Sequence, residues 1–101
     1  MLDLELDYFR IMKNCSNEDH FPMYIRWGYY YLTETKEFDK AIAIFTNALA
    51  LNKVSPLSWL YLGKAYFAME NYEQAEVALT EANIYDPHNV EIWVFLVLSA
   101  L

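Results

Sequence analysis

The side chains able to do chemistry are few and scattered. Cys15 is the only cysteine, and the histidines are His20 and His88. A nucleophile needs its base within hydrogen-bond reach, and these histidines fall in separate predicted loops. His20 follows Glu18 and Asp19, but a metal ion needs further ligands, and none lie nearby at helical spacing. Glu70, Glu73 and Glu76 belong to a polar helix surface, where solvation explains them better than paired acid–base work. No Gly-rich phosphate loop follows a strand. Tyr29-Tyr30-Tyr31 has only Arg26 close by. A base-stacking platform wants interleaved Lys or Arg, so the reading is that two of these rings pack between helices and one stays at the surface. The expectation is a chain with no catalytic residues, no metal, no cofactor and no small-molecule substrate.

Composition narrows the partner class. At 101 residues the chain is one small domain or a piece of one. Hydrophobic residues make up 56% and aromatic residues 18%, with two Gly and three Pro, so it is neither loop-rich nor low-complexity. A formal charge of −7 argues against nucleic acid. The charge is uneven: −3 over residues 1–20, +1 over 21–55 and −5 over 56–101. A solvated acidic face accounts for that, and an acidic strip orienting a basic partner is the sharper alternative. No basic stretch leads into an apolar run at the N-terminus, so no signal peptide is expected. The longest apolar run, Ile92 to Leu98, falls far short of the ~20 residues of a membrane span. A lone cysteine suits a reducing, intracellular setting.

What the chain does carry is a repeated spacing of packing residues. Trp59, Leu62, Gly63 and Tyr66 lie on one face of a predicted helix. Ala75, Leu79 and Ala82 lie on one face of a second, and Pro87 follows it. Tyr24, Trp27, Gly28 and Tyr31 repeat the first spacing, and Ala41, Phe45 and Ala48 the second. Gly28 to Ala41 spans 13 positions where Gly63 to Ala75 spans 12, which predicts a one-residue insertion in the turn near Glu34–Glu37. The small residues matter physically. Gly63 with Ala82, and Gly28 with Ala48, let paired helices approach closely while Trp59, Tyr66, Leu62 and Leu79 fill the space around them.

The organisation that follows is serial. Residues 1–14 are read as a helix ending a preceding unit or capping the N-terminus, although Leu2, Leu4 and Leu6 also alternate like a strand. An acidic–aliphatic docking motif is a further reading of that stretch. Residues 15–22 read as a polar connection, with Pro22 in the first turn of a helix over 22–35. A helix over 38–51 completes one unit, 21–55, and the next unit is 56–89. Ser55 is a candidate N-cap with Pro56 at N1, Glu70-Asn71 a tight turn, and Asn89 a candidate N-cap for a helix from Val90. Trp93 and Leu96 start a third unit over 90–101, with Val97 in place of the glycine. That helix is apolar nearly all round, so the chain reads as cut from a longer array.

This pattern resembles the tetratricopeptide repeat (TPR), W-x2-L-G-x2-Y…A…F…P. Seven of the eight positions carry the family residue in 56–89, and Leu79 stands where an aromatic is usual. The resemblance implies an all-α helix-turn-helix solenoid, a right-handed superhelix fragment, rather than an ordinary helical bundle. It also implies a protein partner held in a concave groove lined by first helices. The corresponding positions are Ile25, Tyr29 and Leu32, then Leu57, Leu60, Lys64 and Phe67, then Val94 and Leu98. Family members that clamp an acidic carboxylate tail use paired Lys and Asn. Lys64 stands alone among apolar residues, so an amphipathic helix or hydrophobic segment is the expected occupant, or the chain's own residues 1–14.

Within that family, S-P-L-S-W-L-Y-L-G-K-A-Y and A-E-V-A-L-T-E-A-N, with Glu81-Ala82-Asn83 most distinctive, are similar to the repeat array of a ciliary and flagellar scaffold family. So is Y-I-R-W-G-Y-Y-Y-L-T-E-T-K-E-F-D-K-A. That similarity implies a non-enzymatic axonemal scaffold required for ciliary beating, cytoplasmic and located in the cilium or flagellum. A cytosolic TPR adaptor with a peptide-binding groove is the alternative.

Overall fold

A computed structural model describes Arg10 and residues 17–101, and every described element is helical. Helix α1 (Asn17–Tyr30) runs directly into a π-helical turn (Tyr31–Thr35). Then follow α2 (Phe38–Leu51), α3 (Pro56–Ala68), α4 (Tyr72–Tyr85) and α5 (Val90–Ala100). Consecutive helices pack on one another, and α3 also meets α5. This is the all-α helix-turn-helix stack expected from the repeated spacing. The expected helix over residues 1–14 lies outside the described residues, apart from Arg10.

The helix starts are set locally. Ser55 accepts a hydrogen bond from the Ser58 amide at 3.3 Å, with Pro56 at the first helical position. Asn71 accepts from the Gln74 amide, and Asn89 from the Glu91 amide. Ser58 is fully buried, and its hydroxyl donates to Ser55 Oγ at 3.2 Å. The indole of Trp59 donates to the Lys53 carbonyl at 2.9 Å, and that of Trp93 to the Pro87 carbonyl at 2.8 Å. Each tryptophan therefore ties down the loop before its own helix.

Two local expectations need correction. Residues 17–20, expected in a loop, are helical, and Pro22 lies inside α1 rather than at its first turn. Pro22 has no N–H to donate to the preceding turn, so α1 tolerates one missing rung there. The inserted residue is also not in the turn. Lys36 (φ 56°) and Glu70 (φ 62°) are the left-handed residues of the two intra-unit turns. Each stands five positions before its alanine, Ala41 or Ala75, so the turns are equivalent. Lys36 is eight positions after Gly28, while Glu70 is seven after Gly63. The extra residue is absorbed upstream, as the π turn Tyr31–Thr35. A π turn widens the helix by one residue per turn and leaves the turn geometry intact.

The core forms around the small residues. Ala41, Phe45, Ala48, Ala75, Leu79 and Ala82 are fully inaccessible to solvent. Trp27, Tyr31, Phe45 and Leu62 belong to one cluster, and Leu60, Leu79 and Ile92 to a second. Trp59 and Tyr66 are half-buried and touch both. A Cβ added at Gly28 would stand 2.6 Å from Phe45 Cε1, and one at Gly63 would stand 2.7 Å from Leu79 Cγ. Glycine is therefore required at both helix crossings. Replacing Gly63 with Ala sets two effects against each other. Helix propensity gains about 1 kcal/mol, and overpacking against the fully buried Leu79 costs about 1–3 kcal/mol. We expect overpacking to win, so Gly63→Ala should lower the urea midpoint relative to wild type.

Candidate functional site

The inner positions of α1, α3 and α5 do not form a uniform apolar strip. Tyr29 (46%), Leu57 (43%), Val94 (48%) and Leu98 (41%) are exposed. Ile25, Leu32, Lys64 and Phe67 are half-buried. Leu60, expected to face a partner, is only 2% exposed and packs in the second core cluster with Leu79 and Ile92. The reason is the stacking of units: α5 covers α3 at that level, and Ile92 closes over Leu60.

A connected ladder of rings and charges crosses the three helices. Tyr29 of α1 packs on Tyr61 of α3, with ring centroids 5.3 Å apart. Tyr61 also meets Phe45 at 5.5 Å, which joins the ladder to the core. Lys64 lies 5.5 Å from the ring centroids of both Tyr61 and Phe95. Its ammonium forms an ion pair with Glu91 at the start of α5. Phe67 meets Phe95 edge-on at 5.4 Å. Lys64 is therefore not a free base awaiting a carboxylate. It is held between two aromatic faces and an acid of the next unit.

Tyr61, Glu91 and Phe95 are the residues that sequence reasoning missed. Repeat register held the signal: Phe95 is 34 positions after Tyr61, and Glu91 is 34 after Leu57. Burial pushes the Tyr61 phenol above its ordinary value, and Tyr29 and Glu91 add to that shift.

The third unit departs from expectation. Trp93, expected to pack within a unit, is 49% exposed beyond its bond to Pro87. Val97, in the glycine register, is 59% exposed, and Leu96 is half-buried. Val90, Trp93, Val94, Val97 and Leu98 line a shallow groove of about 310 Å³ on α5. Among the described residues no partner helix covers them, in contrast to the way α4 covers α3. His20 sits in α1 and His88 in the turn before α5, and no group of acids, His and Cys able to hold a metal is present among the described residues. No described helix is long and apolar enough to cross a membrane.

The ladder generates a pH dependence with a definite sign. A phenol with a raised folded pKa holds its proton more tightly in the folded state. Its contribution is complete below the ordinary phenol value of about 10 and is lost as pH rises through the folded value. Chemical denaturation across that alkaline range should show a shallower loss of stability for Tyr61→Phe than for wild type.

Comparison with known proteins agrees with this geometry. The tetratricopeptide repeat family matches residues 32–96. Cilia- and flagella-associated protein 70 of Macaca fascicularis is 41% identical over 88 residues, covering 85% of this chain and 8% of the relative. The Homo sapiens protein of that name gives the same identity over 7% of its length. TPR repeat-containing protein MJ1428 of Methanocaldococcus jannaschii is 34% identical over 61 residues, covering 60% of this chain and 11% of that protein. The chain thus spans less than a tenth of the ciliary relatives it matches. With the repeated helix pairs, the glycine crossings and a family match over most of its length, the chain belongs to the tetratricopeptide repeat family.

Proposed function

We propose that this chain is a non-enzymatic scaffold segment that binds proteins in cilia or flagella, and that it serves the axoneme of a motile cilium. Tetratricopeptide repeats bind proteins, so a protein partner follows from the family. The ciliary part rests on one observation: 41% identity across 85% of the chain to relatives named cilia- and flagella-associated. The inner face is the surface we assign to the partner. Tyr29, Leu57, Val94 and Leu98 offer apolar area there without carrying the core. Such a face fits an amphipathic helix or hydrophobic segment.

The same exposed side chains favour a second reading, a cytosolic adaptor that captures a peptide on its inner face. The two differ in where the protein resides. The tagged full-length protein expressed in ciliated cells should concentrate along the cilium. A diffuse cytosolic signal would overturn the ciliary assignment and leave the adaptor reading standing. For either reading, the paired substitutions Tyr29→Glu and Leu57→Glu should abolish partner recovery, with helicity unchanged by circular dichroism. Undiminished recovery would exclude the inner face.

A further inference from the structure

A separate groove of about 560 Å³ runs between α2 and α4, with α3 beneath it. That lies within the ~300–1,000 Å³ range of ligand sites. Leu49, Trp59 and Leu62 line its base, and Val77 and Tyr85 of α4 stand beside them. Val77 is 57% exposed and Tyr85 41%. Val77 and Glu81 also line a second depression of about 330 Å³, shared with Glu73, Glu76 and Thr80. The apolar slot therefore opens onto an acidic shelf along the same helix.

Among the described residues no base is paired with the acids of this surface. Neither Glu73, Glu76 nor Glu81 forms an ion pair among the described residues. Lys64, the only Lys or Arg in residues 56–101, is occupied by Glu91 on the inner-face ladder. Glu73 lies in the first turn of α4, where it complements the helix dipole. Glu76 and Glu81 lie beyond that turn and gain little from it. Lys53 lines the slot but not the shelf.

We propose that this groove docks a peptide segment carrying an apolar anchor followed by Lys or Arg. The anchor fills the slot over Trp59 and Leu62, and the bases lie along Glu76 and Glu81. Lys53 lines the slot and not the shelf, so a base is favoured on the shelf and charge sets the direction in which the segment lies. Burial of the anchor supplies attachment, and the shelf supplies orientation and encounter rate. The surface is distinct from the inner face and does not depend on the ciliary assignment.

The test uses the full chain and a labelled synthetic peptide with a leucine anchor followed by consecutive lysines, read by fluorescence anisotropy. A matched peptide with glutamates in place of the lysines is the control. The lysine peptide should bind saturably, more weakly as salt is raised, and the glutamate peptide should not bind. The double variant Glu76→Lys/Glu81→Lys, and separately Val77→Asp, should each weaken binding by at least about tenfold. Glu76→Gln/Glu81→Gln, a milder pair, should weaken it in the same direction, with the thermal midpoint of each variant checking the fold. Glu34→Lys, an exposed acid in the π turn that lines neither depression, should leave it unchanged. No saturable binding by wild type, equal binding by the charge-reversed variant, or loss of binding in Glu34→Lys would each overturn the proposal.

Discussion

The close approach at the two glycines is the contact on which the rest depends. Gly28 faces the Phe45 ring and Gly63 faces Leu79, in each case with no room for one more carbon. A helix pair held that tightly places the next pair, because the exposed flank of one becomes the floor of the other. The same crossing is built with a ring in one unit and a branched aliphatic in the next. Both side chains are fully inaccessible. What is specified is therefore the volume against the glycine, and the aromatic usual at that position is not essential.

The π turn shows how such a repeat tolerates an insertion. An extra residue in the intra-unit turn would swing α2 relative to α1 and pull Phe45 away from Gly28. An extra residue within the last turn of the first helix leaves the left-handed residue five positions from its alanine, as in the following unit. The crossing is preserved at the cost of poorer hydrogen bonding over Tyr31–Thr35, where side-chain hydroxyls of Thr33 and Thr35 reach back to carbonyls four residues earlier.

Electrostatics separate the faces of the stack. On the inner face Lys64 is caged by Tyr61, Phe95 and Glu91, which couples α3 to α5 and leaves apolar side chains as the free surface. Along α4, Glu73, Glu76 and Glu81 form no ion pair among the described residues, beside a largely apolar slot. Both faces offer shape and charge, which suits a chain whose family binds proteins.

Much of this was legible in the sequence, because a repeat writes its packing residues twice. The spacing of Trp59, Leu62, Gly63 and Tyr66, repeated from Tyr24, states which helix faces meet. Ser55, Pro56 and Asn89 mark helix starts by local chemistry that needs no tertiary context. Position within a unit was therefore readable, and so was the need for the glycines. Contacts between units were not. Leu60 occupies a register that lines a groove, yet Ile92 buries it, and Lys64 looked solitary until α5 brought Glu91 and Phe95 against it. Trp93 carries a packing residue's identity but remains half exposed, because among the described residues no helix lies over that face of α5. The sequence alone determined the helix pairs, since periodicity and capping act over a few residues. Only the tertiary structure decided which inner side chains are free, since that depends on what the neighbouring pair places over them.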